Sequence, residues 1–297
     1  MALMRIGSRR KFVGGMLGAG VVGTLAVVMK EGHKLPKTDR MPVAFIGHGT
    51  PRSATAPNEW TSSWEALGKR IPRPSAILSI SAHWLTRGEA LVTANANPRM
   101  NYDFYGFPRE MYDVVYPAPG NVELAREVQT LAGSQLPVHG DTAWGFDHGT
   151  WVVLKYMFPK ADIPVIQLSI DYSRPPSFHY QLGKHLQELR NRGVMILGSG
   201  NLVHNLGMRP GMNGDRPYDW AVEFDAAMWK NIQEGNHQGV VDFQKLGPVA
   251  AQSHPTYDHF LPLLYCLGLK TSEDEITGFN DNFQWPAVSM RSIVIGI

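Results

Sequence analysis

The sequence predicts an α/β fold, a single domain with a mostly parallel or mixed central sheet flanked by helices. Two observations lead to this class. The chain has 297 residues, of which 43% are hydrophobic and 18% charged, a composition typical of a globular protein. From Met41 onward, short apolar runs alternate with amphipathic stretches, and no repeat or break in composition divides the sequence. We therefore assign residues 41–297 to one domain.

Strands and helices alternate along this domain. Six short runs predict strands, and several of them are continuously apolar, as expected of strands buried on both faces: Pro42–Ile46, Ala76–Ser81, Ala90–Ala94, Pro164–Ile170, Val194–Gly198 and Val288–Ile295. Six amphipathic stretches predict helices: Glu59–Arg70, Val122–Ala132, Gly149–Phe158, Ser177–Arg192, Pro217–Gly235 and His259–Leu267. In a sheet of this kind, ligands bind beyond the carboxyl ends of the strands.

The charge of the chain is unevenly distributed. Residues 1–40 contain eight basic and two acidic side chains, a net charge of +6, whereas the whole chain carries +2. The domain of residues 41–297 therefore carries −4, and a mildly acidic domain does not attract the phosphates of nucleic acid. We expect no nucleic-acid partner.

The N-terminal segment, residues 1–40, resembles a twin-arginine export signal. Ser8-Arg9-Arg10-Lys11-Phe12 precedes an uncharged stretch up to Met29 that contains five glycines and is weakly apolar for a membrane-spanning helix. The resemblance implies export to the periplasm. No small-x-small cleavage site follows, so the segment is also a candidate membrane tether, and membrane contact is expected only through it. The alternative is a cytosolic protein with a basic N-terminus.

Histidine is the soft metal ligand that this chain offers in quantity. The sequence has 11 histidines and a single cysteine, Cys266, in an apolar helical stretch that predicts a core position. One cysteine excludes disulfides within the chain and metal sites built from several cysteines. A transition metal bound by this chain is therefore expected to have histidine ligands.

Five histidines occupy positions at which a ligand site is expected. His48 and His83 each follow a predicted strand, and His204 comes six residues after another one. His148 and His259 stand at predicted helix starts. Neutral imidazoles that converge in this way suit a divalent metal, and leftover histidines move protons near neutral pH. Taken singly, each histidine is better explained by a hydrogen bond in the core or a turn, and it is their joint placement that favours a metal.

Motifs that contain these histidines run through the domain in a fixed order. They are Gly47-His48-Gly49-Thr50-Pro51, Ser81-Ala82-His83-Trp84, Phe107-Pro108, Tyr116-Pro117-Ala118-Pro119-Gly120, Trp144-Gly145-Phe146-Asp147-His148-Gly149, Gln167-Leu168-Ser169-Ile170-Asp171, Ser199-Gly200-Asn201-Leu202-Val203-His204-Asn205 and His259-Phe260-Leu261-Pro262-Leu263-Leu264-Tyr265. Over roughly residues 41–296, the sequence resembles the DOPA-dioxygenase type of class III extradiol ring-cleaving dioxygenases.

The resemblance implies a site and a reaction. His48, His83 and His259 would be metal ligands, and His204 would be either a fourth ligand or the acid–base residue. His148 would line the pocket and, with His204, is a candidate catalytic residue. The cofactor would be one divalent ion per chain, Fe²⁺ in an active dioxygenase or Zn²⁺ in an inactive preparation. The partners would be O₂ and a small catechol, whose ring opens to a semialdehyde. The sequence predicts no oligomeric state.

Several alternatives remain open at this point. A zinc-dependent hydrolase or a non-catalytic metal-binding module would use the same scaffold. The aromatic segment Tyr102–Phe107 predicts either a pocket wall or a loop packed on the core. Asp258 adjoins His259, but neighbouring side chains at a helix start point about 100° apart and rarely reach one metal together. The remaining histidines outside these motifs are predicted to be surface or capping residues: His139, His179, His185, His237 and His254.

Overall fold

A computed structural model describes residues 38–208, 212–214 and 216–297. The predicted export signal therefore lies almost wholly outside the described residues. Ten strands occur in the described part of the chain: β1 (Val43–Gly47), β2 (Ala76–Thr86), β3 (Ala90–Thr93), β4 (Val138–Asp141), β5 (Val165–Asp171), β6 (Val194–Gly200), β7 (Ile276–Phe279), β8 (Phe283–Trp285), β9 (Val288–Ser289) and β10 (Ser292–Ile295).

Eight α-helices occur in the same described ranges: α1 (Glu59–Arg70), α2 (Val122–Ala132), α3 (His148–Met157), α4 (Pro176–His185), α5 (Asp219–Gln233), α6 (His237–Val241), α7 (Pro248–Ser253) and α8 (Leu261–Gly268). Short 3₁₀ helices complete the description: Pro51–Ala54, Arg109–Met111, Gln187–Arg192 and Phe243–Leu246. No helix among the described residues is both long enough and apolar enough to cross a membrane.

The larger sheet is mixed, with a parallel centre. Its strand order is β4-β3-β5-β2-β6-β1-β10-β7, and β5, β2, β6 and β1 run parallel. Strand β10 runs antiparallel to β1 and to β7, while β8 and β9 form a separate hairpin. The predicted fold class is confirmed. Because the four central strands are parallel, their carboxyl ends meet at one edge of the sheet.

Both faces of this sheet are buried under helices, which explains why the central strands are continuously apolar. Val43 and Phe45 of β1 pack in one core layer with residues of α2, α4, α5 and α8. Their neighbours Ala44 and Ile46 pack in the other layer with residues of α1 and α3. Successive side chains of a strand point to opposite faces, so one apolar run supplies both layers. Cys266 of α8 is buried in the layer that contains Val43 and Phe45, which confirms the predicted core position. Its Sγ is 3.8 Å from the carbonyl oxygen of Ala44.

Local signals fix the helices that the sequence predicted best. The predicted bounds Glu59–Arg70 and Val122–Ala132 agree with α1 and α2. Asn58 begins α1 with a capping box, because its side chain accepts from the backbone N–H of Thr61 while the Thr61 hydroxyl accepts from Asn58 N. The side-chain Oδ1 of Asn121 accepts a similar bond from the backbone N–H of Leu124 at the start of α2.

Other predicted bounds were wrong in instructive ways. The predicted strand Ala76–Ser81 continues to Thr86, with a shift of pairing register against β5 between Ile80 and Leu85. The predicted helix Ser177–Arg192 divides at Leu186 into α4 and a 3₁₀ helix. The predicted strand Val288–Ile295 is two strands, β9 and β10, which belong to different sheets.

Candidate active site

Five histidine rings meet beyond the carboxyl ends of the parallel strands. The ring centroids of His48, His83 and His259 lie 5.0 to 5.2 Å from one another. His148 is 4.0 Å from His83, and His204 is 3.5 Å from His259, also between centroids. These are the five histidines that the sequence placed at strand ends and helix starts. Their roles as ligands or catalytic groups stay predictions at this point.

The backbone around His48 is held by its neighbours. His48 follows β1 directly, and its N–H donates to the carbonyl oxygen of Gly200 at the end of β6. The side-chain amide of Asn201 donates to the carbonyl oxygens of His48 and Ser289, both at 2.8 Å. Asn201 N–H donates to the carbonyl oxygen of His259 at 2.9 Å. One asparagine thus joins the segments that carry His48 and His259.

His83 lies within β2, not after it as predicted. The register shift between Ile80 and Leu85 interrupts the pairing of β2 with β5 and re-aims the His83 side chain, as bulges next to active sites do. Gly149 lies against this bulge. A Cβ at position 149 would approach Ser81 Oγ to 2.5 Å and His83 Cδ2 to 3.1 Å. A glycine is therefore needed where helix α3 starts beside His83.

The Nδ1 atom of each predicted metal ligand has a polar contact outside the cavity. Nδ1 of His48 is 3.0 Å from Ser199 Oγ. Nδ1 of His83 is 3.3 Å from Asp103 Oδ2, and Nδ1 of His259 is 2.6 Å from Asp258 Oδ2. Metal-ligating histidines use such contacts to fix ring orientation and tautomer. This leaves Nε2 of each ring as the ligand atom.

The proton positions at His48 and His83 favour a cation between them. The Ser199 hydroxyl donates to the carbonyl oxygen of Gly149 at 2.6 Å, so Nδ1 of His48 must be the donor to Ser199 and its Nε2 is bare. The Asp103 carboxylate likewise favours hydrogen on Nδ1 of His83. The two Nε2 atoms are 3.0 Å apart. Nitrogens bound about 2.1 Å from one ion at angles of about 90–110° are about 3.0–3.4 Å apart, so the donor set fits a metal.

Burial keeps these rings neutral, which metal binding requires. Burial, together with the charge of neighbouring histidines, lowers the pKa of His48 and of His259 well below the usual histidine value. Desolvation lowers the pKa of His83 to about 3, even though 21% of this side chain remains exposed where it faces the cavity. Burial also lowers the pKa of His204 to about 4. At pH 7 all four rings are neutral donors of a lone pair.

His148 and His259 are the two candidates for the third ligand of a metal site, and among the described residues the triad with ligand nitrogens close together is the one that contains His148. One nitrogen from each of His48, His83 and His148 can be chosen so that all three lie within 4.8 Å of one another. His259, however, lies at nearly equal centroid distances from His48 and His83, whereas His148 is 5.6 Å from His48. His148 begins α3 and is tied to Asp103, whose Oδ2 accepts from its Nδ1 at 2.8 Å.

The ring of His204 lies flat against the ring of His259, at an interplanar angle of 8°. Backbone contacts hold it there: His204 N–H donates to the carbonyl oxygen of Ser253, and a β-bridge joins His204 to Val288. A nitrogen lone pair lies in the plane of its ring. Since two parallel stacked rings have separate planes, one ion cannot lie in the planes of both.

A cavity of about 240 Å³ opens in front of the five histidines. Phe104, Phe107 and Val288 give it apolar walls, and Gln284 and Trp285 of β8 also line it. The aromatic segment Tyr102–Phe107 therefore serves in part as a wall of the cavity and in part as a loop packed on the rest of the protein. Two of its phenylalanines line the cavity, whereas Tyr102 bonds to the carbonyl oxygen of Val114 and Tyr105 is 91% exposed.

Sequence reasoning missed three features of this region. Asp103 was not singled out, although it is the acidic residue of the aromatic segment. Gln284 and Trp285 were missed because β8 is a three-residue strand without a clear pattern. The prediction of surface or capping positions was wrong for His179 and His254, which are 0% and 5% exposed. Their surroundings come from distant elements, so no local signal identified them.

The fold and this site define an α/β protein with a histidine metal centre beside an aromatic cavity. Residues 44–289 match the family model described as the catalytic LigB subunit of aromatic ring-opening dioxygenase. The chain belongs to this family.

Individual relatives agree with this assignment. A protein of Escherichia coli (strain K12) named 4,5-DOPA dioxygenase extradiol is 43% identical over 86% of this chain and 95% of its own length. A protein of the same name from Beta vulgaris is 39% identical over 75% of this chain and 85% of its own length. Dioxygenase tasH of Hapsidospora irregularis is 32% identical over 82% of both chains. The crystal structure of an uncharacterized protein of Escherichia coli K12 gives a TM-score of 0.74 at 38% identity, covering 86% of this chain and all of that one.

These matches confirm the resemblance to DOPA-dioxygenase-type class III extradiol enzymes. The protein is a metal-dependent oxidoreductase that opens an aromatic ring. Neither a zinc-dependent hydrolase nor a non-catalytic metal-binding module is favoured by them.

Proposed function

We propose that this protein cleaves a DOPA-like catechol beside its diol, using one ferrous ion held by His48, His83 and His259. The observation that carries the proposal is the 3.0 Å distance between the Nε2 atoms of His48 and His83, whose Nδ1 atoms face Ser199 and Asp103. The names of the bacterial and plant relatives support DOPA itself as a substrate. When bound, ferrous iron supplies coordination for both catechol oxygens and for O₂ and the redox chemistry that zinc lacks.

We assign the third ligand position to His259, which the family resemblance implies, and not to His148, a nitrogen of which lies within 4.8 Å of nitrogens of His48 and His83. Nδ1 of His259 is held by Asp258 at 2.6 Å, and its ring lies at nearly equal distances from the other two ligands. His148 is then free for proton transfer. The motif around His259 also matches the ligand position that the family resemblance implies.

His204 is the proposed base for the catechol. Its ring is neutral at pH 7, and its stacking on His259 supports a role other than ligation of the same ion. A ring nitrogen of His204 accepts the proton of a phenolic hydroxyl when the substrate binds. His148 is held by Asp103 through Nδ1, so its Nε2 is available to the substrate. This nitrogen transfers the second proton that is needed as the ring opens to the semialdehyde.

The cavity walls favour catechols without a charge on the ring itself. Phe104, Phe107 and Val288 would pack against the ring and remove water from it. A carboxylate attached directly to the ring would be desolvated against these walls, which is costly. A charged group on a flexible tail reaches the mouth, where Leu206 is 55% exposed. We therefore expect kcat/KM to be higher for DOPA and caffeate than for protocatechuate.

Oxygen uptake tests this function. Purified protein is loaded with Fe²⁺ under reducing conditions, its metal content is measured, and O₂ consumption is recorded with DOPA, catechol, caffeate and protocatechuate. We expect one O₂ consumed per catechol and a yellow ring-opened product, with no uptake by protein loaded with Zn²⁺. Iron-loaded protein that consumes no O₂ with any of the four catechols would contradict the proposal.

We also propose export through the twin-arginine route, which the motif around Arg9 and Arg10 supports. Cell fractionation of a bacterial host tests it. The protein should be found in the periplasm or on its membrane, and replacing both arginines by lysine should leave it in the cytoplasm. An unchanged distribution of the double variant would remove this proposal and leave the enzymatic one intact.

A further inference from the structure

Asp103 turns inward from the aromatic segment and contacts two histidines of the site. Its Oδ1 accepts a hydrogen bond from the backbone N–H of His148 at 2.8 Å, and its Oδ2 accepts one from Nδ1 of the same residue at 2.8 Å. Nδ1 of His83 lies 3.3 Å from that same Oδ2. One carboxylate therefore contacts both a proposed metal ligand and a proposed proton-transfer residue.

An ionised carboxylate only accepts hydrogen bonds, so it favours hydrogen on the Nδ1 atoms that face it. Nε2 of His83 and Nε2 of His148 are then both bare, and both rings line the cavity. The Asp103 side chain is only 17% exposed, and the two rings it contacts lie 4.0 Å apart between centroids.

We propose that Asp103 is a shared positioning residue, which sets the tautomer of His83 for metal binding and of His148 for proton transfer. It holds both rings with Nε2 towards the cavity, as buried carboxylates do for histidines elsewhere. This inference rests on the proposed function, because it assigns His83 and His148 to the two halves of that reaction.

The kinetic test compares Asp103→Asn, Asp103→Glu and the matched control Asp113→Asn. Asp113 is an exposed aspartate downstream of the aromatic segment, and its replacement should leave turnover unchanged. The amide of Asp103→Asn can still accept from the His148 backbone but cannot accept from both Nδ1 atoms. At saturating Fe²⁺ we expect kcat to fall about 10- to 100-fold with KM within about threefold. Asp103→Glu, which retains a carboxylate, should recover part of the loss.

A second readout does not depend on turnover. In ¹⁵N-histidine-labelled protein loaded with Zn²⁺, NMR should show the His148 proton on Nδ1, the signal being identified by its loss in His148→Gln. In Asp103→Asn this proton should move to Nε2. Competition with a chelator should show Zn²⁺ affinity about 10-fold lower for Asp103→Asn than for Asp113→Asn.

The inference is overturned if the wild-type His148 proton lies on Nε2, a result that needs no variant to fold. It is also overturned if Asp103→Asn turns over within about twofold of Asp113→Asn at saturating iron. Should the wild-type protein consume no O₂ with any catechol, the proposed function fails. The NMR and affinity measurements then still decide what Asp103 does.

Discussion

The histidines of the active site and those of the core are similarly buried. They differ in what surrounds the ring nitrogen that makes no hydrogen bond. In the active-site cluster, His48 and His259 are buried, and each uses Nδ1 for one polar contact while Nε2 remains available to the cavity. In the core, His179 bonds through Nδ1 to the Tyr265 hydroxyl, and His254 bonds through Nε2 to the carbonyl oxygen of Leu202.

Low basicity does not separate the two groups. Burial lowers the pKa of His179 and of His254 to about 4, much as it lowers the pKa of the cavity histidines. What differs is convergence: the bare nitrogens of one group point to a common space, whereas the bonded nitrogens of His179 and His254 have separate partners in the core. Depressed basicity is thus a sign of burial, and shared direction is the sign of a metal site.

The largest effect should come from removing a ligand of the cluster. His48→Ala and His83→Ala should reduce bound metal from about one ion per chain to nearly none and should lower O₂ uptake by more than about 100-fold, beyond the loss typical of an outer contact. Elemental analysis and an oxygen electrode measure both quantities. The control is His139→Ala on β4, an exposed histidine whose loss should change neither. Full metal content in His83→Ala would contradict the assignment.

Removal of the acid–base candidates should separate turnover from metal binding. His204→Gln and His148→Gln should keep one ion per chain, because neither ring is a proposed ligand, while kcat falls about 10²- to 10⁴-fold. The measurement is kcat with saturating Fe²⁺ alongside metal content. If His148→Gln loses its metal and His259→Gln keeps it, the third ligand is His148, and the two residues exchange roles.

Smaller losses are expected when the Nδ1 contact of a ligand is removed. Ser199→Ala deletes the acceptor that orients His48 and should weaken Zn²⁺ binding about 10-fold in chelator competition. Ser79→Ala is the matched control, because it removes an equally buried hydroxyl from the neighbouring strand β2, where the partner is Thr150. Equal affinities in the two variants would show that Ser199 does not act on the metal site.

A core histidine should affect stability and its pH dependence without affecting the metal. His179→Phe leaves the buried Tyr265 hydroxyl without this partner and should cost about 1–3 kcal/mol of unfolding free energy at pH 7, with metal content and turnover unchanged. The folded pKa of His179, about 4, is below the unfolded value of about 6.5. Its contribution is therefore complete above pH 6.5 and decreases as the pH falls towards 4, by up to about 3 kcal/mol.

Denaturant titration of the metal-free proteins at pH 7 and pH 4 tests this sign. The difference in unfolding free energy between wild type and His179→Phe should narrow as the pH falls. Only the wild type has a ring at position 179 that gains a proton when the protein unfolds, and this proton stabilises the unfolded state. A gap that widens at pH 4 would show that His179 is stabilised in its charged form.

The sequence predicted the elements that local physics determines and missed those that depend on distant contacts. Asn58 and Asn121 cap α1 and α2 from within the same turn, so both bounds were predictable. The strands β4, β7 and β8 have only three or four residues each, too few for a clear period of alternation. Between β9 and β10, the side chain of Arg291 bonds to Asp225 of α5, and no local pattern predicts that contact.

The candidate site was predictable to the same extent. The histidines could be found because each of them stands close to the end of an apolar run or to the start of an amphipathic one, although β2 itself continues past His83. Asp103 could not be found in this way, because its role depends on a contact with His148, which lies 45 residues further along the chain. Likewise, the burial of His179 depends on Tyr265 of α8, 86 residues away.

The lone cysteine gives this fold a built-in reporter of its own opening. Cys266 is fully buried in α8, seven residues after His259, and burial raises the pKa of its thiol to about 12. Such a thiol is protonated and out of reach of O₂ and of alkylating reagents, so an enzyme that handles O₂ has no oxidisable sulfhydryl at its surface. A reagent can modify Cys266 only when helix α8, which packs behind the histidine cluster, opens. The rate of thiol modification therefore reports how often this helix opens.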